Sequence, residues 1–138
     1  MNMHETYVSL EVAKLLKQAG FEWEVMSFYT NDVTEGCESE YELRLVRFDN
    51  WNDKNKIWCD LVSAPTLDVA QRWLREVKNI SVNISSTPCS YYEYTIRKIN
   101  QLNYKDNTIL ALTACRFYTY EGAQEAGIKK CLEIILEK

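Results

Sequence analysis

The chain has 138 residues and a formal net charge of −4, a length close to the commonest size for one domain. With 46% hydrophobic residues, 26% charged residues, nine Tyr and four Trp, its composition excludes intrinsic disorder, and no apolar run reaches the roughly 18 residues that a membrane-spanning helix needs. Residues 1–61 carry 6 Lys/Arg against 12 Asp/Glu and residues 62–138 carry 10 against 8, so an acidic first half opposes broad adhesion to nucleic acid or anionic lipid.

The start, Met1-Asn2-Met3-His4-Glu5, has neither the basic nor the apolar segment of a secretory leader. It predicts a cytoplasmic chain whose residues 1–4 are disordered. A helix is expected over residues 10–19, with Val12, Leu15, Leu16 and Ala19 on its inner face and Gly20 as a left-handed stop. Phe21 to Val25 alternates as a half-buried strand does, and residues 30–38 collect turn formers and acids. From Glu38, acids at 38, 40 and 42 alternate with Ser39, Tyr41 and Leu43, which predicts a strand with one wet and one dry face. The polar run Asp49 to Asn55 turns the chain, and residues 56–62 are expected to return as the hairpin partner of that strand.

Ser63-Ala64-Pro65 precedes a second helix expected over residues 67–78, with Val69, Ala70, Trp73, Leu74 and Val77 inward. Asp68/Arg72 and Arg72/Glu76 are spaced for ion pairs on its outer face. Strands are expected around Ile80–Ile84 and Tyr92–Ile96. A third, over residues 109–118, is apolar on both faces to about Cys115, as an inner strand is. The last helix, residues 120–137, is expected to bury Ala123, Gly127, Cys131 and Ile134/Ile135. Gly127 costs about 1 kcal/mol against Ala, which points to close backbone packing there. Ser9-Leu-Glu-Val-Ala-Lys14, Thr66-Leu-Asp-Val-Ala-Gln71 and Thr119-Tyr-Glu-Gly-Ala-Gln124 share one grammar at the three helix starts. In each, a hydroxyl caps an early N–H and an acid meets the positive end of the helix dipole.

Together these elements predict an α+β fold, residues 5–138 forming a single domain in which three helices pack on an antiparallel sheet of about five strands. Chemistry finds little footing. His4 is the sole histidine, which removes the usual base of a nucleophile pair. Cys37, Cys59, Cys89, Cys115 and Cys131 are unevenly spaced without a CxxC pair, so they read as reduced structural thiols and not as a metal site. The four glycines form no phosphate-cradling loop. The segment from Asp49 to Asp60 has the length of a calcium loop but Trp51 and Lys54 stand at ligand and glycine positions. No cofactor, metal or catalytic residue is therefore expected.

The leading expectation is a non-catalytic interaction protein that acts by protein–protein contact, with self-association along an open sheet edge as one mode. Aromatic residues in polar surroundings, Trp51, Trp58 and Tyr91, are its candidate contacts. The second is a nucleic-acid module built from the helix, three strands and helix of residues 66–137, the element order of double-stranded RNA-binding domains, with Lys98, Lys105, Lys129 and Lys130 as contacts. Against it, the last helix opens on Glu121, where such a domain grips phosphate. The third is a carboxylate-based enzyme using acids among Glu35, Glu38, Glu40 and Glu42.

Three stretches are familiar together: residues 7–22 (YVSLEVAKLLKQAGFE), residues 63–81 (SAPTLDVAQRWLREVKNIS) and residues 118–136 (YTYEGAQEAGIKKCLEIIL). They resemble a group of short proteins of gut Bacteroidetes and their prophages, a family with no established activity. The shared positions are helix starts and core residues. The resemblance implies a bacterial or phage cytoplasmic setting and carries no cofactor, partner or site residue with it.

Overall fold

The computed structural model describes residues 6–32, 41–54, 59–99, 108–113 and 116–137. It is α+β, and the described residues form three helices and six strands in two antiparallel three-stranded sheets in place of one sheet of about five. The chain clusters into two compact units, residues 1–66 and 67–138. The expectation for residues 1–4 lies outside the described residues.

In the first unit, helix α1 spans Leu10–Gln18 and starts as its sequence dictates, with the Ser9 hydroxyl accepting from the Val12 N–H at 3.3 Å. Its end follows from Gly20, whose φ of +94° lets the chain reverse. The Phe21 N–H then reaches the Leu16 carbonyl at 2.9 Å and the Gly20 N–H reaches Lys17 at 3.1 Å. Val12, Ala13 and Leu16 are buried, as is Phe21 beyond the cap.

Strand β1 spans Val25–Asp32, later than the alternation of residues 21–25 suggested, because Phe21 belongs to the helix cap. Strands β2 (Glu42–Asp49) and β3 (Cys59–Ser63) flank it in the order β2-β1-β3. The expected β2–β3 hairpin is thus corrected. Both strands pair antiparallel with β1, Tyr29 lying between Leu43 and Val62. The connection passes through a short 3-10 turn at Trp51–Asp53 that is tied to β1 and β3. There the Trp51 indole N–H donates to the Val25 carbonyl at 2.8 Å. The Asn52 amide accepts from the Ser63 N–H at 2.8 Å and donates to the Phe21 carbonyl at 2.9 Å. These bonds satisfy backbone groups that an irregular segment would otherwise leave unpaired.

In the second unit, helix α2 spans Leu67–Val77, and strands β4 (Ile80–Ser86), β5 (Tyr92–Lys98) and β6 (Thr108–Leu112) form a sheet in that order. Helix α3 spans Tyr120–Leu136, and its Thr119 hydroxyl accepts from the Gly122 N–H at 2.9 Å. Leu67, Ala70, Trp73 and Leu74 of α2 are buried as the pattern requires, whereas Val77 is exposed. Arg72 pairs with Glu76 at 2.9 Å on the outer face. Asp68 instead takes the buried Gln124 amide at 2.7 Å, which also donates to Gln71 at 2.8 Å. At Gly127 a Cβ would stand 2.7 Å from Val82 Cγ1 and 3.1 Å from Tyr94 Cβ, so the helix lies against the sheet where only glycine fits. Strand β6 is an edge and not an inner strand, with Ile109 and Leu112 exposed. Ile134 and Ile135 are half-buried; Ile128 and Leu132 are buried.

Candidate interaction surface

The feature that departs most from ordinary packing is β2. Its central neighbour β1 buries Val25, Ser27 and Phe28, and β3 on the far side buries Leu61, Val62 and Ser63. No residue of β2 is buried. Leu43, Leu45, Val46 and Phe48 are all exposed, Leu45 at 55% and Phe48 at 66%. Of the dry face expected at Ser39, Tyr41 and Leu43, Ser39 lies outside the described residues, Tyr41 is half-buried and Leu43 is exposed. Four apolar residues on an edge that no described element covers mark an interaction site more often than chance exposure does.

The charges on β2 do not shield it. Arg44 pairs with Glu42 at 3.2 Å and Arg47 with Asp49 at 3.5 Å, each within the strand and two residues apart, so on one face. The pairs neutralise one another and leave no net charge on the edge. Pairing with β1 is regular from Glu42 to Leu45, opposite Thr30 to Ser27. Beyond Leu45, four steps along β2 answer two along β1, so Val46–Phe48 bulge opposite Met26 before Asp49 rejoins Val25. The Asp49 carboxylate also accepts from the Asn50 N–H at 2.8 Å and lies 3.7 Å from Lys54 Nζ, which commits it to closing the turn.

Just before β2, the Tyr41 hydroxyl donates to Asp60 at 2.8 Å while Lys14 Nζ lies 4.7 Å from its ring centroid. Desolvation, then the bond to Asp60 and its charge, push the Tyr41 pKa up to about 12. Lys17 reaches the Leu61 carbonyl at 2.9 Å and Asp60 at 3.6 Å. This cluster fastens the start of β2 to the packed side of the sheet.

The aromatic candidates fare differently. Trp51 is only 6% exposed, with its ring 4.3 Å from that of Phe28 and the Arg47 guanidinium 5.1 Å above it. It is corrected from a contact residue to a core residue, because the neighbouring Asn52 amide serves backbone groups of Phe21 and Ser63 and not water. Trp58 lies outside the described residues. Tyr91 is half-buried, its ring 5.4 Å from Tyr118 and beneath the Arg116 guanidinium at 5.4 Å. Tyr118 is 81% exposed.

Of the lysines, Lys98 is exposed at the end of β5, Lys130 is exposed on α3 and Lys129 is half-buried there; Lys105 lies outside the described residues. Glu42 is the described member of the acidic set and is salt-bridged on β2; Glu35, Glu38 and Glu40 lie outside the described residues. Burial pushes the Cys131 thiol up to about 12. Cys89 is exposed, and both are free thiols. Among the described residues, no helix is long and apolar enough to cross a membrane.

Leu45, Val46 and Phe48 were not singled out by sequence. The available signal is a break of parity: Leu43-Arg44-Leu45 alternates, and Val46 then places a second apolar residue directly after Leu45. Such a break marks a bulge or a strand that is apolar on both faces. Comparison with protein-family models, curated proteins and solved structures finds no match to the chain.

Proposed function

We propose that this chain is a non-catalytic interaction protein that works through the β2 edge of its first sheet. One observation carries the reading: an eight-residue edge strand on which Leu43, Leu45, Val46 and Phe48 are all exposed. A helix laid into a groove covers one face of a sheet. A strand added to the edge sends side chains to both faces and also takes up the free backbone groups, so β-augmentation suits this edge. The shorter edge strand β6 competes less well, since Leu110 and Ala111 are half-buried. The free thiols and the resemblance to short Bacteroidetes and prophage proteins support a bacterial or phage cytoplasmic setting.

A second reading, nucleic-acid binding by the second unit, is favoured by the exposed Tyr118 beside Tyr91 and Arg116, groups able to stack on bases. The element order α2-β4-β5-β6-α3 agrees with it, while Glu121 in the first turn of α3 opposes it.

The test is capture of partners by tagged full-length chain from a bacterial lysate, with and without nuclease. The comparison is between wild type and the double substitution Leu45→Asp, Phe48→Asp. A protein retained after nuclease and lost with the substitutions supports the reading. Equal capture by both chains removes β2 as the site, and recovery of nucleic acid that salt weakens promotes the second reading.

A further inference from the structure

The β2 edge also constrains what can dock on it. Two copies of one strand that pair antiparallel about a two-fold axis normal to the sheet place residue i opposite a residue of the same parity. Directly opposed side chains must share a face. The axis therefore passes through a residue and its own copy, and each choice of centre fixes every pair. The regular stretch Glu42-Leu43-Arg44-Leu45 offers few choices. Centred on Arg44, the two guanidiniums oppose each other. Centred on Leu45, Glu42 faces Phe48 and Arg44 faces Val46. Centred on Leu43, Leu43 meets Leu43, Glu42 meets Arg44 in both directions and Tyr41 meets Leu45.

Building on the interaction reading of this edge, we propose that its occupant is a second copy of the chain, paired antiparallel through β2 about Leu43. From Glu42 to Arg44 every pair in that register is favourable, and the charges are self-complementary. The Glu42–Arg44 bridge already present at 3.2 Å in one copy becomes an alternating group of four charges on one face of the joined sheet. On the other face Leu43 gains cover from Leu43 of the partner copy. Because the strand itself carries no net charge, a partner chosen by opposite charge has nothing to select on it. The contact is one strand wide, below roughly 1,200 Å², so the dimer is weak and forms with concentration.

Sedimentation equilibrium of the full chain over a concentration series tests this. Wild type should show a reversible monomer–dimer equilibrium. Arg44→Glu and Glu42→Arg should each weaken it about tenfold, since symmetry turns two opposite-charge pairs into two like-charge pairs. Combining both substitutions should restore the wild-type constant, because the swapped charges again oppose one another. Both side chains are largely exposed, at 60% for Arg44 and 68% for Glu42, so the variants should keep the wild-type circular dichroism spectrum and melting curve. Wild type that stays monomeric at every concentration overturns the proposal. It does so even if a different protein is captured through Leu45 and Phe48, a result that would leave the interaction reading standing. A combined variant no tighter than the single ones, or single variants as tight as wild type, would overturn the pairing about Leu43.

Discussion

The two strands that border β1 form opposite edges of one sheet and meet opposite fates. Strand β3 buries Leu61, Val62 and Ser63, with Lys17 of α1 reaching its backbone and Asn52 bonded to Ser63. Strand β2, equally rich in apolar side chains, buries none. The difference lies in what is tied to each edge and not in how apolar each strand is. Trp51 and Asn52 pull the connection back across β1 toward β3, leaving β2 as the strand that nothing covers among the described residues. One edge therefore supplies stability, and the other is free to supply contact.

That contrast can be broken most severely at Trp51. Trp51→Ala removes a ring packed on Phe28 and a hydrogen bond to Val25, and is expected to cost about 3–5 kcal/mol. Urea or thermal unfolding would check it, and a loss like that of a surface site would contradict the core assignment. Asn52→Ala should follow at about 1–3 kcal/mol, because the Ser63 N–H then loses its side-chain acceptor. The double substitution Leu45→Asp, Phe48→Asp should change stability by only about 0.5 kcal/mol per site in the same measurement, while abolishing association. A large destabilisation there would mean that β2 is packed after all.

The smallest effect sharpens the boundary between the edges. The folded state holds the Tyr41 proton beyond the ordinary value of 10.0, so the Tyr41–Asp60 contact contributes fully below that pH. Its contribution is lost as pH rises through about 12. Ultraviolet titration of wild type minus Tyr41→Phe should show one phenol ionising near that upper value, and Asp60→Asn should bring it down. A midpoint near 10.0 in wild type would show that the start of β2 is not fastened as described.

Helices were legible in the sequence because their signals are local. Ser9 and Thr119 cap the helices they precede, Gly20 stops α1, and Gly127 marks the close approach of α3 to Val82 and Tyr94. Strand pairing was less legible because it depends on distant partners. Alternating acids at 38, 40 and 42 promised a half-buried strand, of which the described part begins at Tyr41; from Glu42 on, burial requires a covering layer, and no residue of β2 itself encodes one. Trp51 misled for a related reason. Asn50 and Asn52 read as solvent-facing, yet the Asn52 amide is spent on Phe21 and Ser63. Residues 109–118 read as an inner strand, whereas Ile109 and Leu112 lie on an edge. The parity break at Leu45-Val46 was the one local trace of the candidate site.

Hydrogen exchange followed by peptide mass spectrometry, on dilute and on concentrated full-length protein, tests the central claim most directly. The account predicts that concentration slows exchange in peptides covering residues 42–49 and leaves those covering β6 and residues 116–120 unchanged. Protection confined to β6 or to the Tyr118 region, or no protection of β2 at any concentration, would contradict it.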